Sequence, residues 1–186
     1  IQMPSFSEDF DVAFCPESGN LIGGVLQIVA VKAVASNGRS AAVTGKVYDD
    51  TGRFVTDIAT EHKGMGRFVM NASPDRRYYA ECTSAAGLTK RFELPKVEPS
   101  GIAVRVLRQV DGYMVLVQAT PDLNLADYAA VVHSRGAVMT IIDDLSHPSR
   151  LLNKDMFDGI AQVSMNITDM AQTCLLYTSP SPRDIS

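Results

Sequence analysis

The sequence has no tryptophan, only three cysteines and no long apolar run. Its most apolar stretch, Val25 to Val34, is interrupted by Gln27 and Lys32, whereas a helix that spans a bilayer needs about 20 consecutive apolar residues. The sequence therefore predicts no membrane-spanning segment.

An excess of positive charge is also missing. The chain has 17 Lys and Arg residues against 21 Asp and Glu residues, for a formal net charge of -4. Proteins that bind nucleic acid usually cluster Lys and Arg residues against the phosphates, so we expect no nucleic-acid partner. Hydrophobic residues make up 46% of the chain, as in ordinary globular domains. A length of 186 residues allows one large domain or two small ones.

The three cysteines form no CxxC pair and no Cys/His spacing that suits zinc. Cys15 and Cys82 lie in predicted strands, and we predict that both are small buried core residues. A disulfide between them is the alternative, although two cysteines are few compared with the four to eight of a stapled secreted domain.

Signatures of catalysis are absent as well. The three histidines, His62, His133 and His147, accompany no GxSxG motif. We expect His62 to enter a tight turn at Lys63-Gly64, and His133 to be a satisfied core or edge residue. We therefore predict no catalytic, cofactor-binding or metal-binding residue and no enzymatic activity. A hydrolase with dispersed Ser, His and Asp residues is kept only as a third hypothesis.

Paired acids and glycines are interpreted as turn residues. Neither Asp49-Asp50 nor Asp143-Asp144 continues into a calcium loop of alternating oxygen donors. Neither Gly23-Gly24 nor Gly64-Met65-Gly66 fits a phosphate-binding loop, which needs a helix to follow it. These residues are expected at turns and strand ends.

What the sequence does contain is regular turn chemistry. Turn-forming clusters recur 11 to 14 residues apart when counted on Gly38, Gly52, Gly64, Asp75 and Gly87. Short runs rich in β-forming residues lie between them, as in antiparallel sandwiches and barrels. Seven strands are predicted, near residues 11–15, 26–34, 43–48, 54–60, 67–71, 77–82 and 88–94. Seven strands in this length predict one complete sandwich over residues 9–95.

A second, shorter set of strands follows a linker at residues 96–101, where Pro95 and Pro99 favour extended backbone. Strands are predicted at 102–108, 113–119, 128–133, 137–143 and 161–167. Residues 149–157 are predicted to form one or two helical turns, with Ser149 as the cap and Leu152 and Met156 on one face. Residues 102–173 are thus expected to form a second, truncated sandwich. The predicted fold class is all-β, with tandem antiparallel β-sandwich domains of the immunoglobulin-like or macroglobulin-like kind.

Both ends of the chain are expected to lie outside these domains. Residues 1–8 are interpreted as a linker or as the end of a preceding domain. Residues 174–186 contain the string LLYTSPSPRD, which resembles translated adapter sequence, so we interpret them as a non-native tail.

The first predicted sandwich resembles a known family. DFDVAFCPESGNLIGG (9–24), VTGKVYDDTGRFV (43–55), HKGMGRFVM (62–70) and KRFELP (90–95) are similar to macroglobulin-type β-sandwich modules of large bacterial extracytoplasmic proteins. Some of those proteins also carry a TonB-dependent-receptor plug-like domain. Cys15 and Ser18 stand where the family tends to show Phe and Gly. The resemblance implies an outer-membrane, periplasmic or surface setting and transfers no catalytic residue.

Two functions therefore remain open. The first is a non-enzymatic structural or interaction module of a larger cell-envelope protein, linked to outer-membrane transport or assembly, whose partners are adjoining domains of the same chain or another envelope protein. The second is an accessory module that binds a glycan or peptide ligand. It would need an exposed aromatic patch that includes Tyr78 or Tyr79, whose rings should face opposite sides of a strand.

Overall fold

A computed structural model describes residues 9–145, 147, 149–153, 155 and 161–167. In this part of the chain the fold is all-β, and its three larger sheets are antiparallel. The interpretations of residues 1–8 and 174–186 concern residues outside those described. No helix in the described part is long and apolar enough to cross a membrane.

The first sandwich contains the seven strands expected from the turn spacing. It comprises β1 (Phe10–Pro16), β3 (Leu26–Ala35), β4 (Val43–Asp49), β5 (Phe54–His62), β6 (Met65–Asn71), β7 (Tyr78–Ser84) and β8 (Thr89–Glu93). The two-residue strand β2 (Leu21–Ile22) lies between β1 and β3. The seven strands are hydrogen-bonded in the order β1-β3-β6-β5-β4-β7-β8.

This sheet folds over so that its two edge strands meet. The Lys90 ammonium on β8 donates to the Phe10 carbonyl on β1 at 2.9 Å, and the rings of Phe10 and Phe92 lie 5.6 Å apart. Irregular pairing in β5, at Thr60 to His62, permits the bend. The inward residues of both layers share one buried cluster, which includes Val12, Val29, Val31, Val47, Ile58, Phe68, Met70 and Ala80.

The second sandwich is built from two three-stranded sheets over one buried cluster. Its strands are β10 (Ile102–Arg108), β11 (Gly112–Ala119), β12 (Tyr128–Ser134), β13 (Ala137–Ile142), β14 (Ser149–Asn153) and β15 (Gln162–Ile167), and a short strand β9 (Val97–Glu98) precedes them. The sheets are β10-β11-β14 and β13-β12-β15. A single 3₁₀ turn, Leu125–Asp127, precedes β12.

The helical turns predicted for residues 149–157 are absent from residues 149–153. Residues 149–153 form strand β14 instead of helical turns, because they pair with residues 112–116 of β11 and bury Leu152 opposite Tyr113. Long-range pairing outweighs a weak local preference for helix. Met156, the other residue of the predicted helical face, lies outside the described part of the chain.

The two sandwiches repeat one strand order. We count the strands of each sandwich along the chain, without β2 and β9. In both sandwiches the first, second and fifth strands form one layer, and in the other layer the third strand lies between the fourth and the sixth. In the first sandwich a seventh strand, β8, pairs with β7. Among the described residues, no strand occupies the equivalent position beside β15. The repeat is not visible in residue identities.

Candidate functional site

The three histidines lie on different elements of the fold. His62 is exposed at the end of β5, beside the turn at Lys63-Gly64 as expected, and His147 is also exposed. Nε2 of His133 lies 2.9 Å from the Ser164 hydroxyl, so His133 is satisfied by a neighbouring strand. Ser164 has no exposed surface, which keeps its hydroxyl away from any substrate. Within the residues described, no three His, Cys, Asp or Glu side chains are grouped so that they could hold a metal ion.

The first acid pair stabilises a turn, as interpreted from the sequence. The buried Asp49 carboxylate accepts hydrogen bonds from the Thr51 hydroxyl and from the N–H groups of Thr51 and Arg53. These bonds, led by that of the Thr51 hydroxyl, hold the pKa of Asp49 below its usual value. Asp50 pairs with Arg76 at 3.1 Å.

The second acid pair borders a cavity of about 450 Å³ at one end of the second sandwich. Asp143 and Asp144 line it together with the loop from Ala119 to Ala126. Polar groups of this loop already have local partners, since Asn124 accepts from the Ala126 N–H and the Thr120 hydroxyl accepts from the Gly101 N–H. Nothing in the lining favours a particular ligand.

Tyr78 and Tyr79 face opposite sides of β7, as the strand geometry predicts. Tyr78 is buried, and its hydroxyl accepts a hydrogen bond from the Ser73 N–H at 2.7 Å. Tyr79 points outward and is half-buried. Tyr79 is therefore the one that belongs to a surface.

Tyr79 lies in a row of three aromatic side chains across neighbouring strands. Tyr48 on β4 is directly opposite Tyr79 on β7 and Phe54 on β5. The Tyr48 and Tyr79 rings stack with centroids 5.5 Å apart, and Phe54 meets Tyr48 edge-on at 6.3 Å. Phe54 is 49% exposed, so the row opens to solvent. The sequence alone identifies only the pair Tyr78 and Tyr79 and does not decide between them, because the row is created by strand register.

Two cations cover the ends of this aromatic row. The Arg91 guanidinium lies 3.5 Å from the centroid of Tyr79, and the Lys46 ammonium lies 5.7 Å from that of Phe54. The ring of Tyr79 is consequently occupied by Tyr48 and by Arg91. Sugar binding by stacking needs an open ring face, and Tyr79, the residue on which the glycan alternative depends, offers none. The aromatic row presents ring edges and hydroxyl groups, which suit contact with the surface of another protein.

A row of charges crosses β5, β4, β7 and β8 beside the aromatic row. Lys46 is directly opposite Asp57 on β5 and Glu81 on β7, and Glu81 is opposite Arg91 on β8. All four side chains are exposed. On the other side of this row lie Ala59, Thr44, Thr83 and Thr89. We name the outward side of β5-β4-β7-β8, with these three rows, the ladder face.

A second candidate feature is the junction between the sandwiches. The Ser18 hydroxyl accepts a hydrogen bond from the Val104 N–H at 2.9 Å and donates one to the Val104 carbonyl at 3.1 Å. Ser18 is only 4% exposed. One side chain of the first sandwich thus satisfies both backbone groups of a residue on β10. The sequence suggested no such role, because 86 residues separate the two partners.

Backbone pairing and apolar contact reinforce the junction. The short strand β2 pairs in parallel with β9, and the Gly23 N–H donates to the Glu98 carbonyl at 2.9 Å. Ile22, Val25 and Ala103 form a small buried cluster of their own. Residues 97–98, within the stretch interpreted as a linker, are therefore held by the first sandwich.

A partly buried carboxyl group lies at this junction. Oε1 of Glu17 accepts from the Val106 N–H at 3.4 Å, a long and weak hydrogen bond. Burial raises the pKa of Glu17, although that hydrogen bond and the nearby charges of Arg105 and Arg67 act in the opposite direction.

The chain is similar to known proteins in structure only. No protein-family model matches the sequence, and no curated protein matches it. One solved structure that is similar to the chain is described as "Biofilm associated protein - BSP domain", with a TM-score of 0.39 and 16% sequence identity. The match covers 92% of this chain and 30% of that structure, so the chain spans less than a third of its length.

Proposed function

We propose that the chain is a non-enzymatic structural and interaction module of a larger extracytoplasmic protein, with domains at residues 9–95 and 102–173. The resemblance of residues 9–95 to macroglobulin-type modules supports a cell-envelope setting, and a role beside outer-membrane transport or assembly belongs to this proposal. The partners are adjoining domains of the same protein.

The junction is the observation that carries the proposal. The Ser18 hydroxyl fixes β10 through two hydrogen bonds, while β2 and β9 pair a few residues away. Contacts at separate points along an interface resist both bending and rotation, whereas a single linker would resist neither. The two sandwiches are therefore held as one rigid spacer, which keeps their loops and faces at a fixed separation.

The test is to replace Ser18 with Gly, the residue that the resembling family tends to have there. Residual dipolar couplings of the wild-type chain should fit a single alignment tensor for both sandwiches. Ser18→Gly removes both hydrogen bonds and leaves the Val104 N–H without that partner, so the fit of both sandwiches to a single tensor should worsen, while the pairing of β2 with β9 still limits the motion. Ser36→Gly, which alters an exposed turn serine of the first sandwich, is the matched control. Two independent tensors in the wild-type chain would refute the rigid spacer.

A further inference from the structure

The charges on the ladder face alternate in sign from strand to strand. Across β5, β4, β7 and β8 the order is Asp57, Lys46, Glu81, Arg91, which reads negative, positive, negative, positive. A row with this order is complementary to itself when it is reversed. The same surface can therefore satisfy a second copy of itself, which is the requirement for an isologous two-fold interface.

We propose that the ladder face binds the ladder face of a second copy of this chain, about a two-fold axis that runs parallel to the strands between β4 and β7. Under this symmetry Lys46 faces Glu81 of the second copy, and Asp57 faces Arg91 of the second copy. An axis across the strands would instead set like charges against each other. Charge complementarity thus selects both the occupant and its orientation.

The neighbouring rows are compatible with this symmetry. Tyr48 faces Tyr79 of the second copy, so the centres of these rows meet through ring edges and hydroxyl groups. At the rim Phe54 faces Glu93 of the second copy, whose carboxylate is already paired with Arg91. The small residues Ala59, Thr44, Thr83 and Thr89 on the other side of the charge row allow close approach. Facing sheets usually keep their strands within about 30° of each other, so contact is best near the axis, where Lys46 and Glu81 lie.

One charged side chain at the edge of the face is already oriented. Arg91 is stacked on Tyr79 and lies 3.2 Å from the Glu93 carboxylate. Such prior ordering lowers the entropy lost when the two copies associate. Four strands are about 14 Å wide between the outer two, so the contact is small and belongs to the weak class of interfaces.

The experiment is sedimentation equilibrium of the full 186-residue chain, up to about 1 mM protein so that a weak dimer is populated. The wild-type chain should form dimers that weaken as salt screens the charges. Lys46→Glu and Glu81→Lys each create two like-charge contacts across the two-fold axis, so each variant alone should associate at least about tenfold more weakly.

A mixture of the two variants distinguishes this interface from a general effect of net charge. In the mixed pair, every charge of the Lys46→Glu row faces an opposite charge of the Glu81→Lys row, so the mixture should form a heterodimer at least as strong as the wild-type dimer. Lys96→Glu and Asp75→Lys make the same changes in net charge at exposed positions away from the ladder face and should leave association unchanged. Circular dichroism verifies that each variant keeps its β-structure.

Three results would overturn the proposal. These are a wild-type chain that remains monomeric over the whole concentration range, single variants that associate as the wild-type chain does, or a mixture that associates no better than its components. None of them affects the rigid-spacer proposal, which is measured on the junction at concentrations where the chain is monomeric.

Discussion

Cys15 and Cys82 occupy strands of the same sandwich but meet opposite environments. On β1, Phe10, Val12 and Pro16 face inward, so Cys15 is on the outward parity and is exposed, contrary to its predicted burial. Cys82 lies fully inside the core, as predicted. Both thiols are free. Membership of a strand does not decide burial, because successive side chains face opposite sides of the sheet, and this explains the wrong prediction for Cys15.

The two thiols should therefore react at very different rates. Burial raises the pKa of Cys82 to about 11, so very little of it is the reactive thiolate at pH 8, and its sulfur is shielded from reagents whereas Cys15 is exposed. In a Cys174→Ser background, mass spectrometry after brief iodoacetamide treatment should find Cys15 alkylated and Cys82 protected by at least about a hundredfold in rate. Denaturant should abolish the difference, and a Cys15→Ser variant should show no fast labelling. Equal rates in the folded chain would contradict the assigned exposures.

The turn between β5 and β6 leaves no room for a side chain at Gly64. Gly64 has φ = +70°, and a Cβ placed there would lie 2.3 Å from the Ala33 carbonyl oxygen. The Gly64 carbonyl also accepts from the Ala33 N–H at 2.7 Å. The turn is therefore packed directly on β3 instead of projecting into solvent.

Gly64→Ala and Gly38→Ala form a matched pair of variants. Gly38 also has a positive φ of +78°, but open space surrounds the position of its Cβ. Gly38→Ala should cost about 1 kcal/mol for the left-handed backbone alone. Gly64→Ala adds a clash with backbone and should cost about 1–3 kcal/mol more. Urea unfolding measures both, and equal losses would show that β3 moves away at little cost.

Strands could be predicted from the sequence where alternation and turn residues coincide, but pairing between distant segments could not. The turns at Gly38, Gly52, Gly64 and Gly87 delimit the strands of the first sandwich as expected. The two-residue strands β2 and β9 carry no periodicity and exist because each is the other's partner. The candidate site follows the same rule. The pair Tyr78 and Tyr79 was identifiable from the sequence, but the aromatic row depends on the register that brings Tyr48 and Phe54 beside Tyr79.

At the scale of the whole molecule, two large buried clusters are connected by one small one. The cluster of the first sandwich and that of the second share no residue, and Ile22, Val25 and Ala103 alone form the third. Because each sandwich has its own core, each should unfold as its own cooperative unit.

Calorimetry should accordingly resolve two transitions that respond to different substitutions. Val47→Ala in the first core and Val115→Ala in the second each remove two methyl groups from a fully buried side chain and should cost about 2 kcal/mol. Each should lower the melting temperature of its own transition and leave the other nearly unchanged. A single transition that shifts equally in both variants would show that the junction couples the two cores fully.

The pair of hydrogen bonds at Ser18 has a consequence for aggregation. Strand β10 is at the edge of its sheet, where exposed N–H and C=O groups would otherwise pair with a strand of another molecule. The Ser18 hydroxyl binds both of these groups on Val104, as a neighbouring strand would, and Glu17 binds the next outward N–H, that of Val106. The first sandwich thus caps the unpaired backbone groups of the edge strand of the second. Separating the two sandwiches would expose those groups to pairing with another molecule.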